Sequence, residues 1–173
     1  MTELTSSRRF ATALAGKAPA RAATAAIAIA TLGGVTALVL LVGIGKVLDQ
    51  AVLIPPLAAS AALVFAAPAL PLAQPRSVIG GQLISAVVGF LALAVGGSSV
   101  WTAAVAGGLA IGAMALARTP HSPAAATSVI VVLTEPATAT FLLLLLLATI
   151  VIVAVGILAG RSGKTPRYPT YWW

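Results

Sequence analysis

The sequence predicts an all-helical transmembrane bundle of about six membrane segments, four long and two short, in a 3+3 inverted repeat. Three observations carry this expectation. Hydrophobic residues make up 60% of the 173-residue chain and charged residues only 8%, where a soluble domain carries about a quarter charged. Ten basic and three acidic side chains cannot clothe a soluble surface, so most of the outside must face lipid. Uncharged stretches also recur near the roughly 20 residues that cross a bilayer core as a helix. Finally, a short proline-started segment sits second in each half of the chain.

Residues 1–21 hold Arg8, Arg9, Lys17 and Arg21 and read as a basic cytoplasmic tail, with a short interfacial helix as one option. The membrane domain spans 22–160. Ala22–Ile44 is uncharged and forms the first span. Asp49 follows, and then prolines 55, 56, 68, 71 and 75 restrict the second piece to Pro56–Ala67, about 18 Å long at 1.5 Å per residue. Val78–Val95 is the third span and Gly96–Ser99 its turn. Trp101–Ala117 is the fourth, slightly short. Pro123–Thr134 is the second short piece, again about 18 Å. Ala137–Ala159 closes the set. Residues 161–173 form a basic, aromatic cytoplasmic tail, with Tyr168, Tyr171, Trp172 and Trp173 expected at the headgroup level.

Charge placement sets the orientation. If all six segments cross with the N-terminus inside, nine basic residues lie inside and only Lys46 outside, together with Asp49 and Glu135. If the short segments dip in and return, Arg76 and Arg118 move outside. The rule favours six crossings with both termini cytoplasmic, as in a bacterial inner membrane. The same distribution argues against nucleic acid as a partner; the lipid bilayer is the expected one.

Composition also removes chemistries. There is no cysteine, one histidine and three acids. No thiol site, metal site or paired-carboxylate centre can be assembled from these, so neither a metal, a cofactor nor catalysis is expected. Cation pathways display carboxylates within the spans, and none lies there. A small anion or neutral solute fits better.

The two short segments align: Pro56 with Pro123, Ala58 with Ala125, Ala59 with Ala126, and Ser60 with Thr127. Three crossings per half would make the halves inverted, and short helices at matching places in such halves point to a transport site. Proline suits the first helical turn, and a helix start carries free N–H groups with a partial positive charge. Small residues at Ala58, Ala59, Ala124, Ala125 and Ala126 would leave those starts open to an anion. A plain proline-capped short helix, held by Ser122 or Thr127, is the alternative.

Arg118 and His121 stand before the second short helix, and Arg76 before the third span. They supply positive charge near such a path, or sit simply at the membrane interface. Gln82 and Ser85, one turn apart, either bond between helices or line a path. Gly108 and Gly112 have GxxxG spacing, a device for close helix packing, and so small a bundle gains from forming a homo-oligomer.

"PLAQPRSVIGGQLISAVVG" (Pro71–Gly89) and "HSPAAAT" (His121–Thr127) resemble the two signature regions of the HPP family. These are small integral membrane proteins named for a His-Pro-Pro motif followed by small residues and Thr. The resemblance implies a multi-span membrane protein with transport as its function, nitrite being the substrate linked to plastid and cyanobacterial members. His121, Pro123, Thr127, Gln74, Pro75, Arg76, Gly80 and Gly81 carry over from the motif. Ser122 replaces its first proline, Ala125 its usual glycine, and Gln82 a histidine often found there. Ser122 keeps a hydroxyl that can cap the short helix. Together these readings predict a small-anion transporter; the rival is a non-transporting structural or regulatory membrane subunit.

Overall fold

A computed structural model describes residues 20–172, and the described chain is helical without strands. The predicted roles of Arg8, Arg9, Lys17 and Trp173 fall outside these residues. Six α-helices follow in order: α1 (Thr24–Leu48), α2 (Pro55–Ala66), α3 (Gly81–Gly96), α4 (Val100–Leu116), α5 (Ala124–Thr134) and α6 (Thr138–Gly160). A 3₁₀ turn (Pro71–Ala73) and a π-helical turn (Arg76–Gly80) lie between α2 and α3. The π turn runs straight into α3, so Arg76–Gly96 forms one rod of 21 residues.

Each boundary has a local cause. α1 stops where Asp49 takes a left-handed conformation, its N–H closing on Gly45 O. α2 begins at a proline pair and ends two residues before Pro68. The α3–α4 turn pivots on Gly97, whose φ of +67° suits a residue without Cβ. Ser99 then caps α4, its Oγ accepting from Thr102 N at 3.0 Å. α5 ends at Glu135, another left-handed residue, ahead of Pro136.

Three rods, Thr24–Leu48, Arg76–Gly96 and Thr138–Gly160, are long and apolar enough to cross a membrane. α4, at 17 residues, is about 26 Å long and joins α2 and α5 among the shorter apolar helices. The expectation of four long helices is thus met by three, with α4 just under length. Leu32, Val35, Val39, Leu91, Val95, Leu109, Ile111, Leu143 and Leu158 are all exposed. Such a coat of aliphatic side chains requires lipid around it.

The helices pack in two groups, α1–α2–α6 and α3–α4–α5, joined where α3 meets α6 and α2 meets α5. Exchange α1 with α4, α2 with α5 and α3 with α6, and the main pairings are reproduced. The α1–α2 pair maps onto α4–α5, α1–α6 onto α4–α3, and α2–α6 onto α5–α3, while α2–α5 and α3–α6 map onto themselves. At the α3–α6 crossing, Phe90 and Phe141 meet edge to face with centroids 5.9 Å apart. The main core gathers Leu41, Leu57, Val64, Val78, Val131 and Ile152.

Two expectations need correction. Among the described residues no atom would lie within 4 Å of a Cβ at Gly108 or Gly112, so their stripe faces outward and brings none of the six helices together. The close approaches are at Gly89, whose Cβ would lie 2.8 Å from Ser128 O, and at Gly156, against Val64 and Tyr168. Tyr168 is no headgroup anchor either. It is 4% exposed, lies against Gly156 and Gly160, and donates its hydroxyl to Ala73 O at 2.9 Å.

Candidate functional site

The short helices place one polar residue each at the same spot. Ser60 stands in the second turn of α2 and Thr127 is the fourth residue of α5. Gln82, in the first turn of α3, bridges them. Its Nε2 donates to Ser60 Oγ at 3.0 Å, and its Oε1 accepts from Thr127 Oγ1. The two residues that align in sequence therefore share a single amide.

His121 completes the network from the α4–α5 connection. Nε2 lies 2.7 Å from Ser60 Oγ and Nδ1 2.7 Å from Leu72 O. A carbonyl can only accept, so Nδ1 carries a hydrogen. In the neutral ring Nε2 then accepts from the Ser60 hydroxyl. Burial pushes the imidazole down, to about 4, with the Leu72 bond opposing weakly. Near neutral pH the resting ring is uncharged. Ser60, Gln82, His121 and Thr127 are each no more than 1% exposed.

The glycine pair explains how His121 gets there. A Cβ on Gly81 would sit 2.7 Å from His121 Cβ and 2.8 Å from Thr119 O, so only a bare residue lets the connection lie against α3. Gly80 faces Thr119 in the same way, at 3.0 Å from its Cγ2. Gln74 works elsewhere. It donates to Pro68 O (2.8 Å) and Leu70 O (3.0 Å), and its Oε1 accepts from Thr170 N at 2.9 Å. Pro75 leads the π turn. Gln74 and Tyr168 thus tie the tail beyond α6 to the 3₁₀ turn that presents Leu72. Burial also pushes the Tyr168 phenol up, so it stays a donor at any physiological pH. Tyr168→Phe is expected to lower the stability of the detergent-solubilised protein by about 1 kcal/mol. An unchanged thermal midpoint would mean that this bond does not hold the tail.

Other predicted residues stand apart from the network. Pro56 is buried, and its carbonyl oxygen lies 2.9 Å from Ser60 Oγ as a second acceptor in reach of that hydroxyl. Ala124 is fully buried, and its carbonyl accepts from Ser85 Oγ. That end of α5 is packed rather than bare, although Ala125 is only half-buried. Ser122 is exposed; Pro123 occupies the cap position and no side chain caps α5, so the capping role expected of Ser122 is not taken up. Arg118 is exposed with a left-handed backbone, and Arg76 is half-buried on the π turn.

Sequence reasoning missed the Leu72 carbonyl, the Tyr168 anchor and Thr119. The Thr119 hydroxyl is buried without a hydrogen-bond partner among the described residues. Only the spacing of Gly156 and Gly160 signalled the slot that Tyr168 fills. Among the described residues no three His, Asp or Glu side chains gather to hold a metal.

Residues 19–169 match the family described as HPP, transmembrane region. The chain belongs to the HPP transmembrane family. Two transmembrane proteins of Dictyostelium discoideum are similar to this HPP protein. One is 31% identical over 124 residues, which cover 67% of this chain and 40% of the relative. The other is 32% identical over 130 residues, covering 70% and 46%. The aligned part of the chain thus spans less than half the length of these curated relatives. No solved structure matches. Family and apolar helices together make this an integral membrane protein.

Proposed function

We propose that this HPP protein carries a small anion, nitrite first among the candidates, across its membrane. The observation that carries the reading is the meeting of both short helices at Gln82, beside the chain's single histidine. Packing that survives exchange of the halves supports an inverted repeat, with α2 and α5 as its matched short elements. The spans hold no carboxylate that would repel an anion. On the proposed path Ser60, Gln82, His121 and Thr127 receive the anion, with Pro56, Ser122, Pro123, Ala124 and Ala125 around it. Arg76 and Arg118 raise the local positive potential from the cytoplasmic side.

The placement is an inner membrane with both termini in the cytoplasm, since that orientation puts most arginines and lysines inside. The outward Gly108–Gly112 stripe suits a second copy of the chain. The network's groups satisfy one another, which is what the rival structural subunit would also show. On the transport reading this is an occluded state that must open.

Proteoliposome uptake separates the two. Nitrite-dependent flux above that of protein-free vesicles is expected, falling at least tenfold in His121→Ala. Absent flux, or flux unchanged in that variant, would sink the proposal.

A further inference from the structure

We infer that His121 is the coupling site for one proton per anion, making the protein an electroneutral proton–anion symporter. The inference rests on the transport reading and adds what drives it. Its basis is the bonding around Ser60. The Ser60 hydroxyl has one hydrogen and two acceptors in reach, His121 Nε2 at 2.7 Å and Pro56 O at 2.9 Å. With a neutral ring the hydroxyl points at Nε2. When Nε2 takes a proton it becomes the donor, and Ser60 turns its hydrogen to Pro56 O. Gln82 Nε2 donates to the Ser60 oxygen in both states, and Nδ1 donates to Leu72 O in both. The network therefore accepts a proton by one hydroxyl rotation, and no group loses its partner.

Charge is what remains unbalanced. A buried imidazolium without a counter-ion is costly, and the described residues place no carboxylate beside His121. The chain's acids are Glu3, beyond the described residues, and Asp49 and Glu135, both exposed just past the ends of α1 and α5. The elements packed around His121 are α2, the Pro71–Ala73 turn, the π turn with α3, and the end of α4. Their only ionisable side chain is Arg76, and Arg118 stands on His121's own connection. Neither offers His121 a negative charge, and Arg76 is itself bonded within the protein, so a cation at His121 is disfavoured until an anion arrives. Proton and anion thus each raise the other's affinity, by reciprocal linkage. Neither binds well alone, and the pair crosses with no net charge.

The test uses the full chain in detergent, in weak buffer with a pH-indicating dye, titrated with sodium nitrite near pH 7. Binding is followed in parallel by calorimetry. The expected result is uptake of about one proton per nitrite bound, lost in His121→Gln. Nitrite binding without proton uptake overturns the coupling and leaves the transport reading standing. If nitrite, nitrate, formate and chloride all fail to bind, both fall. In proteoliposomes, with the leak of nitrous acid through protein-free vesicles subtracted, lowering the outside pH should speed uptake about tenfold per unit while the resting ring is neutral. A potassium–valinomycin potential should leave the rate unchanged. A rate that follows the potential overturns electroneutrality.

Discussion

Gly81→Ala is expected to abolish anion uptake, while Gly43→Ala leaves it at the wild-type level. Both substitutions add one methyl group to a helix, and the surroundings decide the outcome. At Gly81 the new carbon would lie 2.7 Å from His121 Cβ, 2.8 Å from Thr119 O and 3.2 Å from Met114 Sδ. Two of those three atoms cannot swing away: a Cβ and a backbone carbonyl move only if the chain moves. The α4–α5 connection would have to retreat from α3, at a cost of about 1–3 kcal/mol. That retreat breaks the bonds of His121 to Ser60 and Leu72, both of which sit at 2.7 Å. At Gly43, exposed on α1, no described atom lies within 4 Å, and alanine's helix propensity favours the change by about 1 kcal/mol. Thermal unfolding in detergent and uptake in proteoliposomes check both halves. Wild-type uptake in Gly81→Ala would mean that the position of His121 does not matter.

The helices were legible because charges and prolines mark their ends in so apolar a chain. Asp49, the Pro55–Pro56 pair, Arg76, Gly97, Arg118 and Glu135 all fall at or near boundaries. The Ser60–Thr127 alignment was legible too, since equivalent places in two proline-started helices need only a shared register. What bonds them was not. Gln82 lies on a third helix, and its choice between a helix–helix bond and a path lining depends on distances that no one-dimensional pattern holds.

Glycine spacing misled for a related reason. Gly108–Gly112 and Gly156–Gly160 have the same interval, yet the first faces outward and the second receives Tyr168. A stripe of small residues states that something can come close, not which element does. Tyr168 shows the converse. In a terminal run with Tyr171 and Trp172 it reads as a headgroup anchor, because aromatic rings suit an interface and a core equally. The π turn at Arg76–Gly80 was silent, as one extra residue in a turn leaves the hydropathy unchanged. Residue type suits Ser122 to a cap, but Pro123 beside it already starts the helix with a suitable φ of −61°.

Gln82→Glu is expected to stop uptake near pH 8 and to restore it as the pH falls. The exchange is nearly isosteric, so the fold has no packing reason to change. Above its pKa the introduced carboxylate can still accept from Thr127 but can no longer donate to Ser60. It also places a negative charge where the transported anion should sit. Gln82 Nε2 and His121 Nε2 lie 3.0 Å and 2.7 Å from the same Ser60 oxygen, so an anion beside the histidine is within about 6 Å of the new charge. At an effective dielectric constant near 20, repulsion at that range is about 3 kcal/mol, or roughly a hundredfold in affinity. The carboxylate would also serve as His121's own counter-ion, removing the need for a proton to arrive with an anion. Below its pKa the group is a carboxylic acid with one donor and one acceptor, the same pair that the amide offers to Ser60 and Thr127. Burial raises a carboxyl's pKa, so recovery should begin well above the usual carboxylate range. Uptake profiles from pH 5 to 8 for wild type and Gln82→Glu decide the matter. Equal rates at pH 8 would place the anion's route elsewhere, while loss at every pH with an unchanged thermal midpoint would show that the Gln82 amide itself, not its charge, is what the anion requires.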